Sequence, residues 1–319
     1  MPFKVQEKIR MGVSSCLLGN KVRFDGGHKH NKYITDTLSH FFEFIPVCPE
    51  VECGLATPRE AMRLVGDPDN PRLVTSKTGV DHTDRMNNWA QTKLVELERE
   101  NLCGFIFKNR SPSSGMERVK VYDKNKIPKN VGEGLFAGAF KKHFTLLPTE
   151  EEGRLNDLLL RENFIESVFV YKRWRDTKEE NTADSLVRFH TDHKLLLMAH
   201  SEKHLSDLEY LVSGVTSNDI DNVFNQYQKF LMEAMCVKPT VKSHTNVLMH
   251  MMGFFEKVLD DEEKKELHGI IENYTNHYVP LIVPATLINH YVRKYKNSQL
   301  FNQYYLKPHP TELKLRNHA

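Results

Sequence analysis

The chain has 319 residues, which at roughly 150 residues per domain is room for two domains. Its 44 Lys and Arg against 42 Asp and Glu leave a formal charge of +2, excluding a protein that grips polyanions with its overall charge, so any nucleic-acid surface must be a local patch. With 39% hydrophobic and 10% aromatic residues the composition is globular and not that of a disordered chain.

The first ten residues, MPFKVQEKIR, lack the apolar run of a secretion signal. Lys8–Ser15 reads as a strand that ends at Cys16 and turns at Gly19. A second short apolar run, Phe44–Val47, is cut off at Cys48-Pro49, because proline has no N–H to give a ladder. Residues 83–100 predict a helix, with Met86, Trp89, Lys93 and Leu97 at helical spacing and Thr83 as N-cap. Gly104–Lys108 follows as a strand, broken by Ser111-Pro-Ser-Ser-Gly115. Strand, helix, strand in this order predicts parallel pairing through a right-handed crossover, with ligands bound beyond the carboxyl ends of the strands. The expectation is an α/β domain, Rossmann-like with a mainly parallel sheet, over residues 1–175. A polar stretch, 175–183, suits a linker. From about Asp184 the pattern is helical throughout, with segments around 186–212, 218–235, 240–258, 261–277 and 285–305, which predicts an all-α domain over 184–319. The longest apolar stretch, 278–288, contains Pro280 and Pro284 and is too short to span a bilayer, so a cytoplasmic protein with no membrane partner is expected.

Four of the five cysteines, Cys16, Cys48, Cys53 and Cys103, precede residue 104, leaving only Cys236 beyond it. In a reducing compartment clustered thiols serve as ligands or nucleophiles more often than as bridges. Cys48 and Cys53 lie on one turn and Cys16 at a neighbouring strand end, so three thiolates there can hold a metal or cluster with one position open. The spacing alone describes two buried apolar thiols equally well. A zinc site would want a fourth ligand, and His28 and His30, which flank Lys29, read as solvated or substrate-facing.

Ser15-Cys-Leu-Leu-Gly19, Val22-Arg-Phe-Asp-Gly26, Cys48-Pro-Glu50, Gly54-Leu-Ala-Thr-Pro-Arg59 and Ser111-Pro-Ser-Ser-Gly115, in this order, resemble the TudS-type thiouracil desulfidase family. The later segments Phe189-His-Thr-Asp-His-Lys194, Asn246-Val-Leu-Met-His250 and Leu306-Lys-Pro-His-Pro-Thr-Glu-Leu313 resemble the helical module often fused to that domain, as in the RudS-type desulfidases. The resemblance implies a [4Fe-4S] cluster held by three cysteines, and a non-redox reaction that removes sulfur from 4-thiouridine in tRNA. An iron without a protein thiolate is a Lewis acid and a soft receptor for the sulfur of a thiocarbonyl. Glu50 is the nearest proton carrier and Ser111 its partner at the reacting base. Many members have a cysteine where this chain has Ser114, so the ligands expected here are Cys16, Cys48 and Cys53, with Cys103 read as a packed thiol. Ser113 and Ser114 would touch the pyrimidine or the leaving sulfur. Arg23, Lys29 and Arg59 would hold phosphate or ring.

In the helical half, Arg293, Lys294, Lys296, Lys307, Lys314 and Arg316 are interleaved with Tyr291, Tyr295, Tyr304 and Tyr305, a mixture that suits RNA phosphates and unpaired bases. His190, His193 and His200 share one helix face and read as packing residues. The expected partner is tRNA or a thiolated nucleotide, with no obligate protein partner. Competing readings are a desulfidase of free thiouracil or thionucleotides, a persulfide-forming cysteine enzyme, and a non-catalytic RNA-binding protein with a structural metal.

Overall fold

The computed structural model describes residues 8–215 and 219–317, and the chain divides into two compact units, Met1–Asp157 and Leu158–Ala319. Residues 1–7, most of the segment read as lacking a secretion signal, and Asn218, where a helix was expected to begin, lie outside the described residues.

The strands of the first unit are β1 (Ile9–Ser14), β2 (Phe42–Val47), β3 (Met62–Asp67), β4 (Asn70–Thr75), β5 (Phe105–Phe107), β6 (Val119–Tyr122), β7 (Pro128–Gly132) and β8 (Thr149–Glu151). Its helices are α1 (Pro49–Glu52), α2 (Thr83–Arg99) and α3 (Leu135–His143). One sheet, in the order β2-β1-β5-β8, is parallel throughout, as the strand, helix, strand pattern requires. β1 is its spine, pairing with β2 along its whole length and with β5 through Gly12 and Val13. A Cβ at Gly12 would sit 2.1 Å from the Phe105 ring, so glycine is needed for this approach. Phe105 and Phe107 stack with centroids 4.1 Å apart and meet Phe136 and Phe140 of α3, which seals this face of the sheet.

A second sheet, β4-β3-β6-β7, escapes the sequence reading. β3 and β4 form an antiparallel hairpin, β6 and β7 another, and β3 joins β6 in parallel. β3 buries Leu64, β4 Leu73 and β6 Val119 and Val121, while β7 buries no apolar side chain, so the period-2 signal is thin. α2 forms where its spacing predicts and buries Met86 and Leu97 as expected, with Ala90 and Leu94 completing the buried face and Trp89 and Lys93 only half-buried beside it. Its N-cap position is His82, and the hydroxyl of Thr83 instead accepts a bond from the Leu73 amide at 2.8 Å, tying the helix to β4.

The second unit consists of α4 (Leu158–Glu180), α5 (Ala183–His200), α6 (Glu202–Ser213), α7 (Ile220–Cys236), α8 (Val241–Gly253), α9 (Asp261–Thr275), α10 (Ile282–Lys294) and the short α11 (Ser298–Phe301). The stretch expected as a linker is helical to Glu180, and the division between units falls before α4. Its polar residues are the solvated end of a helix that buries Phe164, Ile165, Val168, Val170 and Trp174 further back. The segment expected over 186–212 is broken at Ser201, which caps α6 by accepting from His204 N. Among the described residues no helix is long and apolar enough to cross a membrane.

A buried ionic group ties the end of the chain to α4. The Arg316 guanidinium lies 2.9 Å from Glu166 and 3.3 Å from Glu162, and His200 reaches Glu166 at 2.8 Å. Burial alone would raise the Glu166 carboxyl, but the His200 bond and the Arg316 charge outweigh it and hold it well below the usual carboxylate range. His190 bonds Tyr227 and His193 bonds the Phe189 carbonyl, so the histidine face is internal packing. Removing one partner of such a group strands a buried charge. Arg316→Met should therefore cost about 3–5 kcal/mol in urea-induced unfolding; an unshifted midpoint would mean that this group does not hold the chain end.

Candidate active site

Because β1, β2 and β5 are parallel neighbours, their carboxyl ends open on one edge, and there a cavity of about 480 Å³ forms. β1 runs into Ser15 and Cys16, in a 3₁₀ turn that Gly19 ends at φ 92°, a left-handed conformation suited to glycine. The Cys16 carbonyl then accepts from Lys29 N at 2.9 Å, folding residues 20–29 back over the opening. β2 runs into Cys48, and Pro49 opens α1 at a position where its missing N–H costs nothing. The Cys48 amide donates to Glu52 Oε1 at 2.7 Å, and Glu52 is itself fixed by Lys93 at 3.0 Å. β5 runs into Lys108, whose amide donates to Ser14 Oγ at 2.8 Å and locks this edge to β1.

Glu50 is the hub. Its Oε1 accepts from Ser113 Oγ at 2.7 Å, and its Oε2 faces Cys48 Sγ at 3.6 Å and Arg59 Nη2 at 3.8 Å. Ser113 Oγ lies 3.0 Å from Ser111 Oγ and 3.3 Å from Ser114 Oγ, so one run of hydroxyls leads from the carboxylate along the Ser111–Gly115 turn. Ser111 Oγ also accepts from the amides of Ser113 and Ser114, which sets that turn. Arg59 donates to the Val22 carbonyl at 3.0 Å, clamping the 20–29 loop beside Glu50.

Of the residues expected in the site, Cys16, Cys48, Glu50, Ser111, Ser114, Arg23, Lys29 and Arg59 all line this cavity, and Ser113 joins it through Glu50. Cys53 does not line it. Its thiol donates to the Glu50 carbonyl at 3.2 Å and packs against the cluster of Leu64, Leu73, Met86, Val119 and Val121, because α1 is one turn long and carries Cys53 round to the side facing the second sheet. Cys103 is buried at the start of β5, as a packed thiol should be. Arg23 pairs with Asp25 at 3.6 Å, and Arg59 is engaged with backbone and with Glu50. Lys108 was not foreseen. It lines the cavity beside Cys16 and is held by Glu152 across β8, and its place one residue past a parallel strand is the signal that marks it.

Burial pushes the Cys16 thiol up to about 11, against the pull of Lys108 and with Glu50 adding to the rise. Burial and then Glu50 push Cys48 up to about 12. Both sulfurs are therefore neutral thiols in the metal-free chain, and a cation that displaced their protons would meet two soft donors, one carboxylate and several hydroxyls. Among the described residues no three His, Cys, Asp or Glu side chains are grouped so as to hold a metal ion. Cys16 and Cys48 line this cavity together with Glu50 and Ser114, whereas Cys53, the third cysteine expected as a ligand, lies outside its lining.

Residues 11–152 match the family described as 2-thiouracil desulfurase, and residues 194–310 match one described as a protein of unknown function (DUF1722). The uncharacterized protein YbgA of Escherichia coli (strain K12) is 30% identical over 152 residues, 47% of this chain and 90% of that protein. The uncharacterized protein YbbK of Bacillus subtilis (strain 168) is 29% identical over 153 residues, 46% of this chain and 98% of that one. A solved structure of TudS, a [4Fe-4S]-dependent thiouracil desulfidase, is 29% identical and covers 48% of this chain and 97% of that chain, with a TM-score of 0.40. By its matched segments and the identity it shares with these relatives, the chain belongs to the 2-thiouracil desulfurase family, with a DUF1722 module after the desulfurase region.

Proposed function

We propose that this chain is a non-redox desulfidase that exchanges the sulfur of a thiolated pyrimidine for oxygen, and that its substrate is 4-thiouridine in tRNA. The observation that carries the reading is Glu50, held by Ser113 in one cavity with the Cys16 and Cys48 thiols. The tRNA substrate rests on the fused helical module, which adds surface that a free base does not need. In the net reaction a water oxygen bonds the ring carbon, the carbon–sulfur bond breaks, and sulfur leaves as hydrosulfide. No electrons are gained or lost.

Cys16 and Cys48 are the residues that would hold an iron–sulfur cluster here, with Ser114 Oγ beside them. When bound, the cluster would supply a Lewis-acidic iron with affinity for sulfur. Glu50 Oε2 takes the proton of the attacking water, while Ser113 Oγ keeps Oε1 occupied and the carboxylate aimed. Ser111 Oγ orients the pyrimidine. Lys108 and Lys29 place positive charge at the wall where negative charge develops on the leaving sulfur. Arg59 positions Glu50 and the loop above it.

Anaerobic reconstitution should give ~4 irons and ~4 sulfides per chain, with sulfide released from thiolated tRNA. Cys16→Ser and Cys48→Ser should abolish iron retention, Cys53→Ser should keep it, and Ser114→Cys should slow its loss in air. A chain that takes up no iron, or loses it on Cys53→Ser, defeats this ligand assignment. Glu50→Gln should retain iron and lose about 10²–10⁴-fold in sulfide release; unchanged release would move the proton work elsewhere.

The raised thiols argue against a persulfide-forming nucleophile, which needs a lowered pKa. With both thiols raised by burial, little of either is thiolate at pH 8. Iodoacetamide labelling of Cys16 and Cys48 in the iron-free protein should accordingly be slow at pH 8 and rise about tenfold per pH unit toward pH 10. Fast labelling at neutral pH would favour the nucleophile.

A further inference from the structure

Beside the thiol cavity lies a second cavity of about 600 Å³, walled by the solvent face of the second sheet. Met62, Arg110 and Pro112 belong to both walls, so the two open into one another's margin. Alternation along the strands builds the new wall: β6 buries Val119 and Val121 and turns Lys120 and Tyr122 outward, while β3 buries Leu64 and leaves Arg63 beside Lys120. Asn130 faces Lys120 from β7, and Arg118 completes the rim.

Arg63, Arg110, Arg118 and Lys120 make this wall strongly positive, and no acidic residue lines it. Among the described residues none of the four forms an ion pair. The nearest acid in sequence, Glu117, is taken by Arg154 at 2.8 Å. Arg63 Nε is buried without a hydrogen-bond partner, and its guanidinium lies 5.2 Å from the Tyr122 ring. Like charges on adjacent strands cost stability, so a wall that gathers Arg63 and Lys120 from paired strands and supplies no carboxylate awaits an anion from outside. In a chain of net charge +2 such a concentration is not an average property.

We infer that this groove holds the phosphodiester backbone of the single-stranded nucleotides next to the thiolated one, so that the base enters the thiol cavity while its neighbours lie along Arg63, Arg118 and Lys120. The inference rests on the desulfidase reading for the identity of the base, and on the groove alone for the binding of the strand. Guanidinium forks match phosphate oxygens, and the 480 Å³ cavity at the end of the track is of a size to take one base. An acidic protein segment lacks the regular phosphate spacing and has no use for a base-sized cavity at its end.

The test is fluorescence anisotropy of the full chain with a labelled, unthiolated single-stranded oligoribonucleotide across a potassium chloride series. Each lost phosphate contact should flatten the log–log salt slope by about 0.7. Arg118→Gln combined with Lys120→Gln should weaken binding roughly 10- to 30-fold at 0.1 M salt, as two lost contacts imply. Lys77→Gln combined with Lys142→Gln, which removes the same charge away from both cavities, should leave affinity and slope in place. Unchanged binding in the groove variant, equal loss in the control variant, or equal displacement of the strand by polyaspartate would each overturn the inference. Failure of the desulfidase reading looks different: no sulfide from thiolated substrate, whatever the strand affinity.

Discussion

The site depends on how closely β5 can lie against β1. Parallel pairing puts the ends of β2, β1 and β5 side by side, but only the missing side chain of Gly12 lets the Phe105 ring reach the spine strand. Any Cβ there would drive β5 outward and carry Lys108 and the Ser111–Gly115 turn away from Cys16 and Cys48. The Ser14 hydroxyl, accepting from the Lys108 amide, then fixes the last step of that approach at the cavity edge. A core contact on one side of the sheet thus sets the width of a polar cavity at its end.

Within the cavity, charge is arranged so that the sulfurs are the protonated members. Glu50 is engaged by Ser113 and Arg59, and Lys108 by Glu152, so the cations of the cavity only partly offset burial at the two thiols. Burial and the Glu50 charge together raise both. The same arrangement that makes them poor nucleophiles makes them receptive to a soft cation, because a metal exchanged for two protons removes the repulsion that Glu50 imposes. On the proposed reading, a metal held by these sulfurs would release their protons as it bound, and its uptake would be favoured as pH rises.

Most of this edge was legible in the sequence, because strand ends followed by Cys16, Cys48-Pro49 and Ser111-Pro112 are punctuated by residues that cannot continue a ladder. The helices of the second unit were legible for a similar reason, their apolar spacing being interrupted at capped turns. The second sheet was not, since Leu64 and Leu73 stand almost alone among charged neighbours and take their meaning from α2 packed over them. Nor was the side of Cys53. With four residues between it and Cys48 it reads as a companion ligand, yet the single turn of α1 carries it, half-buried, against the core of the second sheet, and sequence spacing carries no information on which side of so short a helix faces the cavity. The unit boundary was misplaced for a related reason, as the charged end of α4 looks like a linker until its buried half is seen.

Charge that looks available in sequence can be consumed by folding. The basic, tyrosine-rich end of the chain suggested an RNA surface, but Arg316 and Tyr305 are buried, Lys294 and Tyr295 both bond Glu263, and Tyr304 stacks on His193. Their polarity serves the cohesion of the helical unit. Arg63, Arg118 and Lys120 drew no notice in sequence because they are dispersed over two strands and a turn, and only the pairing of β3 with β6 gathers them. Pairing concentrates like charge at a cost in stability, whereas the buried Arg316 of the helical unit is matched by Glu162 and Glu166. Arg316 and Lys294 thus meet carboxylates inside the helical unit, whereas Arg63, Arg110, Arg118 and Lys120 line one cavity wall with no acidic residue among them, which is why the groove in the first unit, and not the basic end of the chain, is the stronger candidate for an external anion.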